Sequence, residues 1–353
     1  MTLDRARRPV GKAGLTLPAI GFGAAPLGNL YRATSDDDAH ATIEAALLAG
    51  LRYVDTAPYY GFGLSERRVG AAIAGQRDLI LSTKVGRLLE PLSSPPADAT
   101  RYDFVNALPF DPVFDYSHDA ILRSHEDSLK RLGGAPIDIL YVHDIGRRMH
   151  GADHPARLAQ LIDGGGFAAL ERLRDQGEVS AIGIGVNEVA ICLDLLDRID
   201  LDVILLGGRY TLLEQTSLDD LFPRCAASGT SIVIGGPYNS GILAVGSAAG
   251  DAHYDYGPVP EALLDKVRRI ERICAAHHVA LPAAALQFVL AHPQVASVIP
   301  GLANPAEVRS TVEYATAPIP DALWADLKTE GLVRADAFVP SLQVEKTDGG
   351  WTS

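Results

Sequence analysis

Eight short apolar, β-branched runs recur along the chain, at 20–24, 51–55, 79–84, 137–143, 179–186, 203–206, 231–235 and 295–299. Amphipathic stretches with helical spacing lie between and around them, at 36–49, 65–73, 118–132, 167–176, 188–196, 218–227, 261–277 and 305–314. A strand can return parallel to its predecessor only through a crossover of a dozen or more residues, usually a helix. Eight such units with no linker between them predict an α/β fold whose sheet closes on itself, a (β/α)8 TIM barrel, over an open sheet. The chain has 353 residues. A quota of about 150 residues per domain would suggest two domains, but barrels of this kind routinely exceed it. One barrel domain over 1–353 is therefore expected, and an apolar content of 47% supplies its core.

Three segments fall outside the alternation. Residues 8–18, with Lys12-Ala13-Gly14 as turn residues, predict an N-terminal β-hairpin that closes the barrel's bottom. Segments 86–117 and 236–260 follow the third and seventh strands as long loops on the strand-end side, and long loops in compact domains are usually functional. Residues 320–353 are expected to form a helical C-terminal tail that packs near the same face and shapes a pocket.

A formal charge of −13 argues against nucleic acid or an anionic membrane as a partner. Cys192, Cys225 and Cys274 are far apart and odd in number. They read as reduced buried residues, not as disulfides or a metal site. No run approaches the roughly 18 apolar residues of a membrane span, and the N-terminus lacks the apolar stretch of a signal peptide. A cytoplasmic protein, monomeric or a small homo-oligomer, is expected.

The chemistry-bearing residues gather at strand ends. Asp55 ends the second run, Tyr60 follows in Asp55-Thr56-Ala57-Pro58-Tyr59-Tyr60-Gly61, Lys84 ends the third and His143 the fourth. Strands about 5 Å apart bring such residues to one point on the face where α/β proteins do chemistry. A free tyrosine is a poor base at neutral pH. A neighbouring ammonium favours its phenolate, so Lys84, held by Asp55, is expected to lower the pKa of Tyr60. His143 would bind a substrate oxygen or tune the tyrosine. No G-x-G-x-x-G fingerprint follows a strand. A dinucleotide would instead be held by the loops after the last two strands, Gly235-Gly236-Pro237-Tyr238-Asn239-Ser240-Gly241 and Gly301-Leu302-Ala303-Asn304. Their glycines allow close backbone approach and a helix start offers free N–H groups.

On the Asp55–Gly61 run, the Thr83-Lys84 and Val142-His143 strand ends and Ile299-Pro300-Gly301, taken in order, the chain resembles the aldo-keto reductase superfamily over nearly its whole length. Lys84-Val85-Gly86-Arg87, His143-Asp144, Gly185-Val186-Asn187-Glu188 and Gly208-Arg209-Tyr210-Thr211-Leu212-Leu213 resemble its aldose 1-dehydrogenase branch, which includes L-fucose, L-galactose and D-threo-aldose dehydrogenases, with pyridoxal 4-dehydrogenase a close relative. So does Gly331-Leu332-Val333-Arg334-Ala335-Asp336 in the tail.

The resemblance implies hydride transfer between a nicotinamide cofactor and the anomeric carbon of an aldose, giving a lactone, with Asp55, Tyr60, Lys84 and His143 as the catalytic group. It implies that Tyr210 stacks on the nicotinamide and that Asn187 bonds its carboxamide. Gly185-Val186-Asn187 stands where many relatives have Ser-Asn, and Gly207 where a glutamine is common. Gly236, Pro237, Asn239, Gly241, Gly301, Asn304 and Glu307 complete the expected cofactor site. NADPH-dependent relatives carry a lysine just after the last strand and an arginine early in the helix. Gly301 and Glu307 take those positions here, which favours NAD over NADP, unless a shift of two residues places Arg309 there. A polar, sugar-sized pocket is expected from Tyr59, Phe62, Arg87, Asp144, Tyr102, Tyr116 and Tyr254, although Arg87 and Asp144 can equally pair with each other. Two other readings stand beside the aldose dehydrogenase: a pyridoxal 4-dehydrogenase or NADPH-dependent carbonyl reductase, and a nucleotide-sensing subunit without turnover.

Overall fold

The computed structural model describes residues 7–94, 99–250 and 252–341. Strands β1 (Arg7–Val10) and β2 (Leu15–Pro18) form an antiparallel hairpin. Eight parallel strands follow: β3 (Phe22–Gly23), β4 (Tyr53–Asp55), β5 (Ile80–Val85), β10 (Ile139–His143), β11 (Ala181–Val186), β12 (Val203–Gly207), β13 (Ser231–Gly235) and β16 (Val295–Ile299). The intervening short strands are β6 (Arg87–Pro91), β7 (Thr100–Arg101), β8 (Phe104–Val105), β9 (Phe110–Phe114), β14 (His253–Tyr254) and β15 (Gly257–Pro258). Sheet order follows chain order from β3 to β16, and parallel bridges Ile20↔Val298 and Gly23↔Gly301 close the ring.

The barrel is held by two apolar layers. Val10, Leu17, Tyr53, Ile80, Ile139, Tyr141, Val203, Leu205 and Val233 fill its inside, with β1 and β2 contributing from below. A larger cluster lies between strands and helices. The hairpin plugs the bottom because Arg8 donates to Leu290 O, His292 O and Val295 O, while Gly11 N donates to Ser231 Oγ.

Helices α1 (Asp36–Leu48), α2 (Leu64–Ile73), α3 (His118–Arg131), α6 (Gly166–Asp175), α7 (Val189–Leu196), α8 (Leu221–Ser228), α10 (Glu261–Ala276) and α12 (Pro305–Thr316) fall where the sequence pattern places them. Three aspartates and the Ser35 cap, which accepts from Asp38 N, start α1. The pattern misses α4 (Arg147–His150), α5 (His154–Ile162) and α11 (Leu281–Leu290). Seven of the ten α11 residues are buried, so it has no polar face to betray a helical period.

The two long loops have structure of their own. Among the described residues of 86–117, β6 pairs with β9 and β7 with β8 as hairpins. The described residues of 236–260 include the short α9 (Ile242–Val245) and the β14–β15 hairpin. Both inner hairpins turn through two residues of positive φ, Tyr102 and Asp103 in one and Asp255 and Tyr256 in the other. That is the backbone pattern of a tight, right-twisting two-residue turn.

Among its described residues the C-terminal tail is helical only in α13 (Asp321–Thr329). Beyond it, Leu332 O and Arg334 N bond Gln215, Arg334 pairs with Asp219, and Phe338 packs on His292. The described tail therefore covers the outer flank beside α8 and α11, not the strand-end mouth. Residues 342–353 lie outside the described residues. No single described helix is long and apolar enough to cross a membrane.

Candidate active site

Register sets the site. Asp55 pairs with Ser82 across β4–β5, and Tyr141 with Lys84 across β5–β10, so the inward side chains of three adjacent strands meet. Lys84 Nζ lies 2.6 Å from Asp55 Oδ2 and donates to Thr56 O at 2.8 Å. Both side chains are almost wholly buried. The same ammonium stands 4.7 Å from the centre of the Tyr60 ring. His143 meets that ring edge-on, with centroids 6.1 Å apart. The four expected residues are thus brought together.

Two glycines place Tyr60. A Cβ on Gly28 would sit 2.5 Å from the Tyr60 carbonyl carbon, and one on Gly61, whose φ is +64°, 2.4 Å from Gly28 O. The loops after β3 and β4 touch backbone to backbone here, and only glycine permits that approach. Behind Lys84, Glu66 is fully buried, accepts from Thr83 Oγ1 at 2.7 Å and pairs with Arg131, tying α2 and α3 to β5.

The electrostatics differ from the sequence expectation in one respect. The Tyr60 phenol is held well above its ordinary pKa, first by burial and then by Asp55 and Asp144; Arg87 opposes this. Lys84 is committed to Asp55 and Thr56, so its charge does not dominate. In this state Tyr60 is a proton donor. Burial, helped by Arg87 and Lys84, pushes His143 well below its usual range. A neutral imidazole can donate a hydrogen bond to a substrate oxygen, and Nδ1 of His143 has no partner in the structure.

Arg87 and Asp144 do pair with each other. Yet Arg87 Nε and Nη1 are buried without partners, and its guanidinium lies 4.0 Å from the Tyr59 ring centre and 5.1 Å from that of Phe114. A 1% exposed guanidinium with two idle donors beside His143 suits a substrate oxygen. Asp144 adopts φ +48°, held by its N–H to Gly185 O. Tyr59 packs on Phe62, Phe104 and His143, with Tyr102 6.3 Å away. Two expected wall residues are displaced from the pocket. Tyr116 is buried behind Gly86 and donates to His143 O at 2.8 Å, so it supports the histidine from behind. Tyr254 bonds Glu214 instead. Tyr256, two residues on, lies close enough to Tyr60, Asp144 and Asn187 to interact with all three. Only the hairpin geometry reveals this, because sequence alone does not say which tyrosine occupies the tip.

The cofactor candidates divide. Gly236 and Gly301 lie just past the ends of adjacent strands and are exposed, so no side chain stands between their backbone and a phosphate. Pro237 is buried between them and the α9 turn begun by Gly241 at φ +113°. Asn187 occupies the space a side chain at 207 would need: a Cβ on Gly207 would sit 2.0 Å from Asn187 Oδ1. The glycine is what admits this carboxamide to the mouth. These features fit a nicotinamide dinucleotide, which would supply the hydride acceptor or donor. Asn239 turns inward, bonding Thr211 Oγ1 and Gly208 O, and so ties two loops together. Tyr210 is wholly buried among Phe222, Phe288 and His292 and presents no face to a nicotinamide. Asn304 caps α12 by accepting from Glu307 N. Glu307 is not a lone charge: it accepts from Ala303 N and Asn304 Nδ2 and pairs with Arg32 at 2.6 Å. Arg32 comes from the loop after β3 and gave no signal in the sequence. Arg309 is exposed and forms no ion pair with a described residue.

A family model described as the aldo/keto reductase family matches residues 19–329. The chain is 42% identical to pyridoxal 4-dehydrogenase from Microbacterium luteolum over 335 residues, 93% of this chain and 98% of that protein. It is 44% identical to D-threo-aldose 1-dehydrogenase from a Pseudomonas species over 325 residues, 91% and 96% respectively. Among solved structures it resembles aldo-keto reductase AKR11C1 from Bacillus halodurans in its holo form, with a TM-score of 0.71 at 25% identity, covering 94% of this chain and 97% of that one. Strand order, site geometry and these likenesses agree: the chain belongs to the aldo/keto reductase family.

Proposed function

We propose that the protein oxidises a cyclic hemiacetal carbon to a lactone with a nicotinamide cofactor, an aldose of the L-fucose, L-galactose or D-arabinose type being the first candidate. The observation that carries this reading is the Asp55–Lys84–Tyr60–His143 cluster beside the idle Arg87 donors. Bound at the exposed Gly236 and Gly301, the cofactor supplies hydride chemistry, and the side chains orient the substrate and move the proton. His143 and Arg87 hold substrate oxygens. In oxidation a bound nicotinamide would supply the hydride acceptor, while the ionised Tyr60 oxygen takes the proton of the hemiacetal O–H, whose carbon ends as the lactone carbonyl. In reduction the protonated phenol returns the proton. NAD is the preferred cofactor on this reading, because Glu307 takes the position at which NADPH-dependent relatives carry an arginine, its charge tempered by Arg32.

Pyridoxal is the second candidate. Its aldehyde closes on the neighbouring hydroxymethyl group to give the same hemiacetal carbon, and the mouth offers a flat ring several aromatic neighbours in Tyr59, Tyr102 and Tyr256. The deciding experiment monitors reduced-nicotinamide absorbance with L-fucose, L-galactose, D-arabinose, pyridoxal and simple aldehydes, each with both cofactors, and identifies the product by mass. Lactone formation from a sugar supports the first candidate. Lactone from pyridoxal alone selects the second. Reduction of aldehydes with NADPH and no oxidation would overturn both.

A further inference from the structure

Inside the barrel, below the site, lies a row of hydroxyls that the proton transfer does not use. Tyr141 Oη is 3.0 Å from Tyr53 Oη, which is 3.1 Å from Ser82 Oγ, which is 2.7 Å from Asp55 Oδ1. All four side chains are buried. The proton directions follow from counting. The Asp55 carboxylate only accepts, so Ser82 spends its one proton on it. Ser82 must then accept from Tyr53, and Tyr53 from Tyr141. Every O–H dipole points the same way, toward Asp55. Burial keeps the Tyr53 and Tyr141 phenols far above their ordinary range, so they remain donors.

We propose that Ser82, Tyr53 and Tyr141 are positioning residues for the proton-transfer site: their hydroxyls form a one-way donor chain that fixes Asp55, and through it Lys84, beneath Tyr60. With Oδ1 occupied by Ser82, Asp55 offers Oδ2 to Lys84. Thr56 O takes a second ammonium proton, and the third is left on the side of the Tyr60 ring. Chained hydrogen bonds polarise one another in a medium of low dielectric. The row therefore also spreads the Asp55 charge that otherwise opposes a Tyr60 phenolate. The other groups facing Tyr60 are Arg87 on β6, His143 and Asp144 at the end of β10, and Tyr256 on the β14–β15 hairpin. None of them touches the row.

The inference rests on Tyr60 as the proton-transfer group, so it is tested both without and with turnover. In the first arm, the Lys84 ammonium resonance of 15N-labelled protein is assigned by its loss in Lys84→Met, and its proton exchange is measured without substrate. Ser82→Ala should speed that exchange about tenfold or more, the loss of one bond to a charged group. Tyr53→Phe should do so less, and Ser82→Thr should restore it. In the second arm, the pH midpoint of oxidative kcat should rise by about half a unit in Ser82→Ala. A merely structural role lowers kcat at every pH and leaves the midpoint in place. Unchanged exchange, or an unmoved midpoint, overturns the proposal. If the wild type oxidises no candidate substrate, the functional reading fails while the exchange arm still decides this one. If Ser82→Ala does not fold, the double Tyr53→Phe/Tyr141→Phe, which orphans no hydroxyl, takes its place under the same criteria.

Discussion

Replacing Lys84 by Met isolates the largest electrostatic commitment in the site. Its ammonium and the Asp55 carboxylate are 2–3% exposed and 2.6 Å apart. At an effective dielectric near 20, that separation corresponds to an attraction of about 6 kcal/mol. Most of it offsets the removal of two ions from water, so the pair by itself stabilises little. Breaking it is different. Lys84→Met leaves a buried carboxylate with only Ser82 to satisfy it, and Asp55→Asn leaves a buried ammonium with neutral acceptors but no counter-charge. Each single variant should lose about 3–5 kcal/mol. The double Lys84→Met/Asp55→Asn buries no charge and should be no less stable than either single, which requires a coupling about as large as one single loss, about 3–5 kcal/mol. Urea denaturation followed by circular dichroism, with all four proteins at one pH, closes the cycle. Loss of activity is expected in every variant and so does not discriminate. Additive stability losses, with the double as poor as the sum of the singles, would refute the view that a pair of mutually dependent buried ions holds the site.

Three further outcomes follow from the geometry. Tyr60→Phe should keep cofactor binding by fluorescence and lose about 10²–10⁴-fold in kcat; because the phenol is held above its usual pKa, wild-type oxidation should climb with pH by up to about tenfold per unit while reduction stays flat through neutrality and falls only in alkali, and an oxidation rate independent of pH would count against Tyr60 as base. Gly207→Ala forces the Asn187 carboxamide from its place 2.0 Å from the new Cβ, so the cofactor Kd should weaken with little change in stability; an unaltered Kd would remove Asn187 from the cofactor site. Glu307→Ala frees the Arg32 guanidinium and should shift the NAD to NADP ratio of kcat/KM toward NADP, whereas Arg32→Ala leaves Glu307 without its ion-pair partner and should shift it toward NAD, each by about three- to tenfold for partly exposed charges; shifts of the same sign in both would mean the loop does not face the 2′-position.

The sequence by itself determined the barrel and the four strand-end residues. Both depend on local periodicity: alternation of strand and helix fixes the fold class, and a polar residue closing an apolar run must face the mouth. What it could not determine depends on how loops far apart in the chain come to rest. Glu307 and Arg32 are 275 residues apart. No local pattern announces their pairing, and without it Glu307 reads as a bare charge. Tyr254 and Tyr256 are equivalent as letters; the two positive-φ residues of the hairpin turn decide that the second faces the site. Tyr210 follows a strand as a mouth residue would, yet packing against Phe222 and Phe288 turns it into the core. Ser82, Tyr53 and Tyr141 are visible as inward positions of three strands, but only the register across β4, β5 and β10 sets their hydroxyls end to end. Periodicity is a property of one segment, whereas register and loop closure are properties of several at once, and the finer chemistry of this site is written in the latter.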